Sequence, residues 1–197
     1  MMGHRAVFLD RDGTINEDCG YPGRFDQIRI YPYSLEAVRM IREAGFKAVV
    51  VTNQSGVGRG FFTEDDLHRL HERMADVFEA ENTPLDAFYY CPHFEGSSLA
   101  EYNKACSCRK PATGMIRRAA EDLGLDPEAS YMIGDKVEDI LLGVHAGALP
   151  ILVLTGYGRE SLATLKERGI RPAFVAETLL EAARWIVRRE KGETDSR

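Results

Sequence analysis

Five short apolar runs, at Ala6–Leu9, 48–51, 87–90, 131–133 and 151–154, recur along this chain, and stretches of helical period separate them at 35–44, 64–81, 115–123 and 139–146. An apolar run without polar alternation is buried on both faces, and strands of that kind belong to parallel sheets whose crossovers carry helices. Each crossover places its helix against a sheet face, so the pattern predicts an α/β, doubly wound, mainly parallel sheet with helices on both faces. Thr63 followed by Glu64, Asp65 and Asp66 marks a capped helix start, and Gly45, Gly124 and Gly147 stand where helices should stop. A last helix over 179–189 carries Leu180, Ala183, Ile186 and Val187 at helical spacing, a packing face. A single domain is expected over 1–190, with a frayed polar tail at 191–197. The stretch 91–109 is long and irregular, and a loop of that size usually serves a function.

In a doubly wound sheet ligands gather at the carboxyl ends of the strands, so the residues just after each apolar run are the informative ones: Asp10, Thr52, Cys91, Asp135 and Thr155. The first run ends in Asp10-Arg11-Asp12-Gly13-Thr14, two carboxylates close enough to share one phosphoryl group and one cation. Alone, that pentapeptide could equally be a strand ending in an Asp-Gly turn. The second run ends in Thr52-Asn53-Gln54-Ser55-Gly56, a hydroxyl, amides and backbone N–H groups in a glycine-containing turn able to hold phosphate oxygens. The fourth ends in Gly134-Asp135-Lys136-Val137-Glu138-Asp139, a second carboxylate pair that by itself could be a capped helix start. With Arg109 and Lys110 between the second and fourth, the clusters supply carboxylates for a hard cation, a hydroxyl, and cations for a phosphate.

These motifs, in this order, resemble the four motifs of the haloacid dehalogenase superfamily of phosphatases, and the match spans nearly the whole chain. The resemblance implies a magnesium-dependent phosphoric monoester hydrolase that works through an aspartyl-phosphate. Asp10 would be the nucleophile and Asp12 the general acid and base, with neighbouring negative charge favouring its protonated form. Thr52 and Lys110 would hold the phosphate. Magnesium would be bound by Asp10, the backbone carbonyl of Asp12, and Asp135, while Asp139 would hold Lys136 or metal-bound water. No cap domain is expected, because the gap from Thr14 to Val51 has room only for a loop and one helix.

Cys91-Pro92-His93, then twelve residues, then Cys106-Ser107-Cys108 gives three thiolates and an imidazole in two tight pairs, the ligand set of a closed tetrahedral zinc site. Four protein ligands leave no open position, so the expected role is structural. Cys19 reads as a free thiol, and His4, His68, His71 and His145 as packing or surface residues. A capless enzyme with such a loop is similar to the heptose 1,7-bisphosphate phosphatases and to the histidinol-phosphate phosphatases of one subfamily. The stretches 16–22, 56–60 and 108–111 favour the former, with removal of the 7-phosphate and histidinol phosphate as the alternative substrate. By that resemblance Asp18, Cys19 (through its backbone), Gly20, Tyr21, Thr52, Asn53, Gln54, Ser55, Arg109, Lys110 and Lys136 contact substrate. Arg109 is suited to the phosphate that stays, with Arg59 in reserve.

The formal charge of −6, from 25 basic and 31 acidic side chains, repels nucleic acid and anionic membrane surface. It opposes a polynucleotide 3′-phosphatase, and retention of both Asp10 and Asp12 opposes an inactive, zinc-stabilised binding module. No stretch approaches the ~20 apolar residues that span a bilayer. The chain is therefore expected to be a cytoplasmic monomer.

Overall fold

The computed structural model describes residues 3–193. Six strands, β1 (Ala6–Leu9), β2 (Lys47–Asn53), β3 (Ala87–Cys91), β4 (Tyr131–Gly134), β5 (Leu149–Val153) and β6 (Phe174–Ala176), form one parallel sheet in the order β3-β2-β1-β4-β5-β6. The helices are α1 (Ser34–Glu43), α2 (Ser55–Gly58), α3 (Glu64–Ala80), α4 (Gly114–Leu123), α5 (Val137–Ala146), α6 (Gly158–Glu167) and α7 (Leu179–Glu190). The order reverses at β1 and β4, the switch point at which open sheets of this class leave a crevice.

Alternation along β1 splits the core in two. Val7 and Leu9 pack with Val50 and Ile133 against α1, α3 and α7, through Ala37, Ile41, Met74, Phe78 and Ile186. Ala6 and Phe8 face the other way, with Val49, Val51 and Met132, onto α4 through Met115, Ile116 and Ala119 and onto α5 through Leu142. All four β1 residues are fully buried, and a side chain such as Phe8 contributes about 1.5–3 kcal/mol by that burial. Register aligns Leu9 with Val50 and with Ile133, so the residues beyond those positions emerge side by side at one edge of the sheet.

The expected helix signals hold. The Thr63 hydroxyl accepts from the Asp66 N–H, and the Asp66 carboxylate accepts from the Thr63 N–H; Gly124 and Gly147 close α4 and α5. The structure differs from the sequence reading in several places. Strand β2 continues through Thr52 and Asn53, which pair with Tyr90 and Cys91, so both belong to the strand rather than following it. Helix α5 starts at Val137, and the unforeseen α6 and three-residue β6 complete the sheet edge. Of the expected tail, 194–197 lies outside the described residues. Among the described residues the connection from β1 to α1 carries a single 3-10 turn, Phe25–Gln27, and no cap is inserted there. Among the described residues no helix is long and apolar enough to cross a membrane.

Candidate active site

At the carboxyl ends of β1, β2 and β4 a cleft of about 470 Å3 opens. Asp10, Asp12, Asp18, Gly20, Tyr21, Thr52, Asn53, Gln54, Ser55, Arg109, Lys110 and Lys136 all line it. Of the residues expected around substrate, only Cys19 is absent from the lining; it is exposed on the loop. Asp135 lies beneath, fully buried.

The floor is built around Lys110. Its ammonium lies 2.7 Å from Asp10 Oδ1 and 2.7 Å from Asp139 Oδ1, and donates to the Val51 carbonyl at 3.1 Å. Burial favours its neutral form, but the charges of Asp10 and Asp139 outweigh that and raise its pKa, so the group is a locked cation. Asn53 fixes the lysine backbone, accepting from the Lys110 N–H at 3.0 Å. Asp139 thus partners Lys110 and, through Oδ2, the backbone N–H of Lys136 at 2.9 Å; the Lys136 ammonium goes elsewhere, to Asp18 Oδ2 at 3.0 Å. Asp139 therefore meets Lys136 through the backbone alone, and its charge partner is Lys110, which arrives from a distant loop.

Asp12 is gripped on both oxygens. Arg11 donates from Nε to Oδ1 (3.1 Å) and from Nη2 to Oδ2 (2.8 Å), Asn16 donates to Oδ1 and Gln54 to Oδ2, each at 2.9 Å. Burial pushes the carboxyl up, but the Arg11 charge and these hydrogen bonds prevail and hold it below the usual carboxylate range. The expectation that neighbouring negative charge favours protonated Asp12 is therefore corrected: the resting group is a carboxylate. Gln54 also donates to Thr52 Oγ1 at 2.9 Å, which leaves the threonine proton free for an oxygen in the cleft.

Asp135 accepts from the Tyr157 N–H through Oδ2 at 2.8 Å, while its Oδ1 is buried without a hydrogen-bond partner. Burial and the charges of Asp10 and Asp139 push it up to about 8. An orphaned oxygen among three buried carboxylates, with ligand atoms of Asp10, Asp135 and Asp139 within 4.8 Å of one another, suits a hard divalent cation. The backbone leaves Asp135 no slack: a Cβ on Gly13 or on Gly156, both at positive φ, would fall 2.2 Å from its Oδ2.

On the rim, Cys91, His93, Cys106 and Cys108 converge. His93 Nδ1 is 3.2 Å from Cys108 Sγ and 3.6 Å from Cys91 Sγ, and Cys106 Sγ lies 3.5 Å and 3.3 Å from the other two sulfurs. This Cys/His cluster has the donor set of a four-coordinate site. Its loop carries Arg109, whose Nη1 donates to the His93 carbonyl at 3.0 Å. Arg59, the reserve candidate, instead lies 3.8 Å over the Phe94 ring and is not part of the lining. The residues missed from sequence are Arg11, Asn16 and His71. Asn16 and Arg11 sit inside or beside the first motif, where a buried polar partner for Asp12 could have been sought.

A buried aspartate and lysine, a free hydroxyl and a carboxylate cluster at the switch point of a parallel sheet define a phosphatase of the haloacid dehalogenase type. Residues 107–182 match the family model described as HAD-hydrolase-like. A D-glycero-D-manno-heptose-1,7-bisphosphate 7-phosphatase of Thermosynechococcus vestitus is 40% identical over 189 residues, 94% of this chain and 96% of that one. The D-glycero-beta-D-manno-heptose-1,7-bisphosphate 7-phosphatase of Escherichia coli K12 is 45% identical over 152 residues, 77% of this chain and 80% of that one. The crystal structure of D,D-heptose 1,7-bisphosphate phosphatase from B. bronchiseptica, complexed with magnesium and phosphate, superposes with a TM-score of 0.82 at 32% identity, covering 94% of this chain and 99% of that one. The chain belongs to the heptose-1,7-bisphosphate 7-phosphatase family.

Proposed function

We propose that this protein hydrolyses the 7-phosphate of D-glycero-D-manno-heptose 1,7-bisphosphate, giving heptose 1-phosphate. The observation that carries the reading is the cleft itself, where Lys110 is buried against Asp10 and two further cations, the partly exposed Arg109 and Lys136, also line the walls. One buried cation and two more exposed ones in a single cleft suit a substrate with two phosphates. The family relatives and the neighbour that binds magnesium and phosphate support the same reading.

In this reading Asp10 attacks the 7-phosphorus in line, forming an acyl-phosphate as the P–O bond to the sugar breaks. Asp12 gives its proton to the leaving oxygen and recovers one from the water that hydrolyses the acyl-phosphate. Because resting Asp12 is an anion, it must take up that proton before the first displacement. Thr52 and Lys110 hold the transferred phosphoryl oxygens, and Asn53, Ser55 and the loop of Asp18, Gly20 and Tyr21 shape the sugar site. Asp10, Asp135 and the Asp12 carbonyl would hold magnesium, which supplies charge neutralisation at the phosphoryl group. The reading takes one domain over 1–190, acting as a monomer.

A phosphate-release panel tests the substrate: both anomers of the heptose bisphosphate against histidinol phosphate. The bisphosphate is expected to lead in kcat/KM, and a lead for histidinol phosphate would transfer the assignment to that substrate.

Zinc is the proposed occupant of the Cys91, His93, Cys106 and Cys108 site, because three thiolates and an imidazole select it over harder ions. Protein purified without chelator is expected to hold one equivalent of zinc by elemental analysis, and Cys106→Ser to lose most of it together with order around Arg109. Less than about half an equivalent in the parent, with no iron in its place, counts against the assignment.

A further inference from the structure

Arg11 is the largest fully buried side chain among the described residues. A permanent cation in a core persists only where its donors are matched. Two of its nitrogens form the fork on Asp12; the third, Nη1, lies 3.1 Å from His71 Nε2. A guanidinium only donates, so Nε2 accepts and the imidazole carries its proton on Nδ1. Burial and the Arg11 charge, together outweighing Asp12, hold the ring neutral by keeping its pKa well below the ordinary histidine value.

His71 is 5% exposed, on the α3 face that otherwise buries Leu67, Leu70, Met74 and Phe78. Its ring stacks on Phe88 of β3, with centroids 4.7 Å apart and planes 22° from parallel. The surroundings would suit an apolar side chain, and the acceptor nitrogen has a use only at Arg11. Helix α3 contributes no residue to the cleft lining, yet through this one nitrogen it reaches the Asp12 carboxylate.

We propose that His71 and Arg11 are positioning residues for Asp12: the neutral imidazole fixes the guanidinium plane, and the guanidinium fork fixes the carboxylate rotamer that delivers a proton to the leaving oxygen. The inference rests on the phosphatase reading above. In the step concerned, the bond from Asp10 to phosphorus forms, the phosphorus–oxygen bond to the sugar breaks, and the Asp12 proton passes to the departing oxygen. A sugar alkoxide needs that proton; a p-nitrophenolate leaves as the anion and hardly does. Asp12 also serves the hydrolysis of the acyl-phosphate, which both esters share, so the two are compared in kcat/KM, which ends at departure of the alcohol: there loss of position at Asp12 separates the esters, whereas general loosening of the fold would depress both.

The experiment compares kcat and KM on heptose bisphosphate and on p-nitrophenyl phosphate for the parent, His71→Phe and His71→Gln, with thermal melts of each. His71→Phe keeps a ring against Phe88 but offers no acceptor; His71→Gln restores one. For His71→Phe the expected result is a kcat/KM on the sugar ester about ten- to a hundredfold lower, against less than about threefold on the aryl ester, a fraction of what a general acid supplies. His71→Gln is expected to recover most of the loss. Equal losses on both esters, or none on either, would overturn the proposal. Should His71→Phe fail to fold, His71→Asn, whose amide ends short of Arg11, takes its place with the same expected and rejecting results. A parent inactive on both esters would remove the phosphatase reading and this inference with it, while an active parent whose variants leave the ester ratio unmoved removes this inference alone.

Discussion

Asp10→Asn is expected to fold as the parent does and to lose at least about 10⁴-fold in turnover, the scale seen when a covalent nucleophile is removed. The fold should survive because Asp10 Oδ1 only accepts, from the Arg11 N–H at 2.8 Å and from Lys110, and an amide oxygen can take both bonds. Lys110 also keeps its second partner in Asp139. What the amide cannot do is attack phosphorus or carry the negative charge that faces Asp135. In the parent, a beryllofluoride complex, which imitates an acyl-phosphate, is expected to form on Asp10 and to be seen by 19F NMR; the variant should show none. An unchanged fluorine signal in Asp10→Asn would place the covalent chemistry on another residue.

The second large effect is expected from Lys110→Ala, and its meaning comes from contrast with Arg109→Ala. Removing Lys110 leaves two buried carboxylates facing each other without a cation, a loss of about 3–5 kcal/mol when one member of such a group is deleted. It also removes a preorganised donor for the transferred phosphoryl group, worth roughly 10²–10³ in kcat. The fall should therefore reach every substrate alike, with a lower melting temperature. Arg109 is half-buried on the rim and bonded to the His93 carbonyl. If it meets the phosphate that stays, its loss removes one charge-assisted contact of about 1.5–3 kcal/mol, so kcat/KM for the bisphosphate should fall roughly ten- to a hundredfold. A monophosphate of similar size should be little affected, and parallel losses on both substrates would remove the bisphosphate role from Arg109.

How much could be read beforehand depends on the range of the interactions involved. The strands of the core were legible because burial on both faces leaves a run such as Ala6–Leu9 with no polar residue. Strand β6 was not, since three residues at a sheet edge are too few to show a period, and its identity comes from pairing with β5. The lining residues were legible for a topological reason: adjacent parallel strands end level, so residues far apart in sequence emerge together. The partners within the site were less so. That Lys110 serves Asp139, or that Arg11 turns inward to His71, follows from side-chain contacts across more than 20 positions. His71 read as a packing or surface residue like the other histidines of the chain, and only its contact with a buried guanidinium distinguishes it.

Strand β1 has a hydrogen-bonded neighbour on each side, whereas β3 lies at the end of the sheet with β2 alone beside it. The amides that lead into Asp10 should accordingly exchange with solvent deuterium only through global unfolding, while those around Cys91 and the loop beyond can open in smaller, cheaper fluctuations. The nucleophile would then be the last part of the molecule to lose its structure. A partly opened molecule would forfeit the grip of the rim on its substrate before it forfeits the means to cut it.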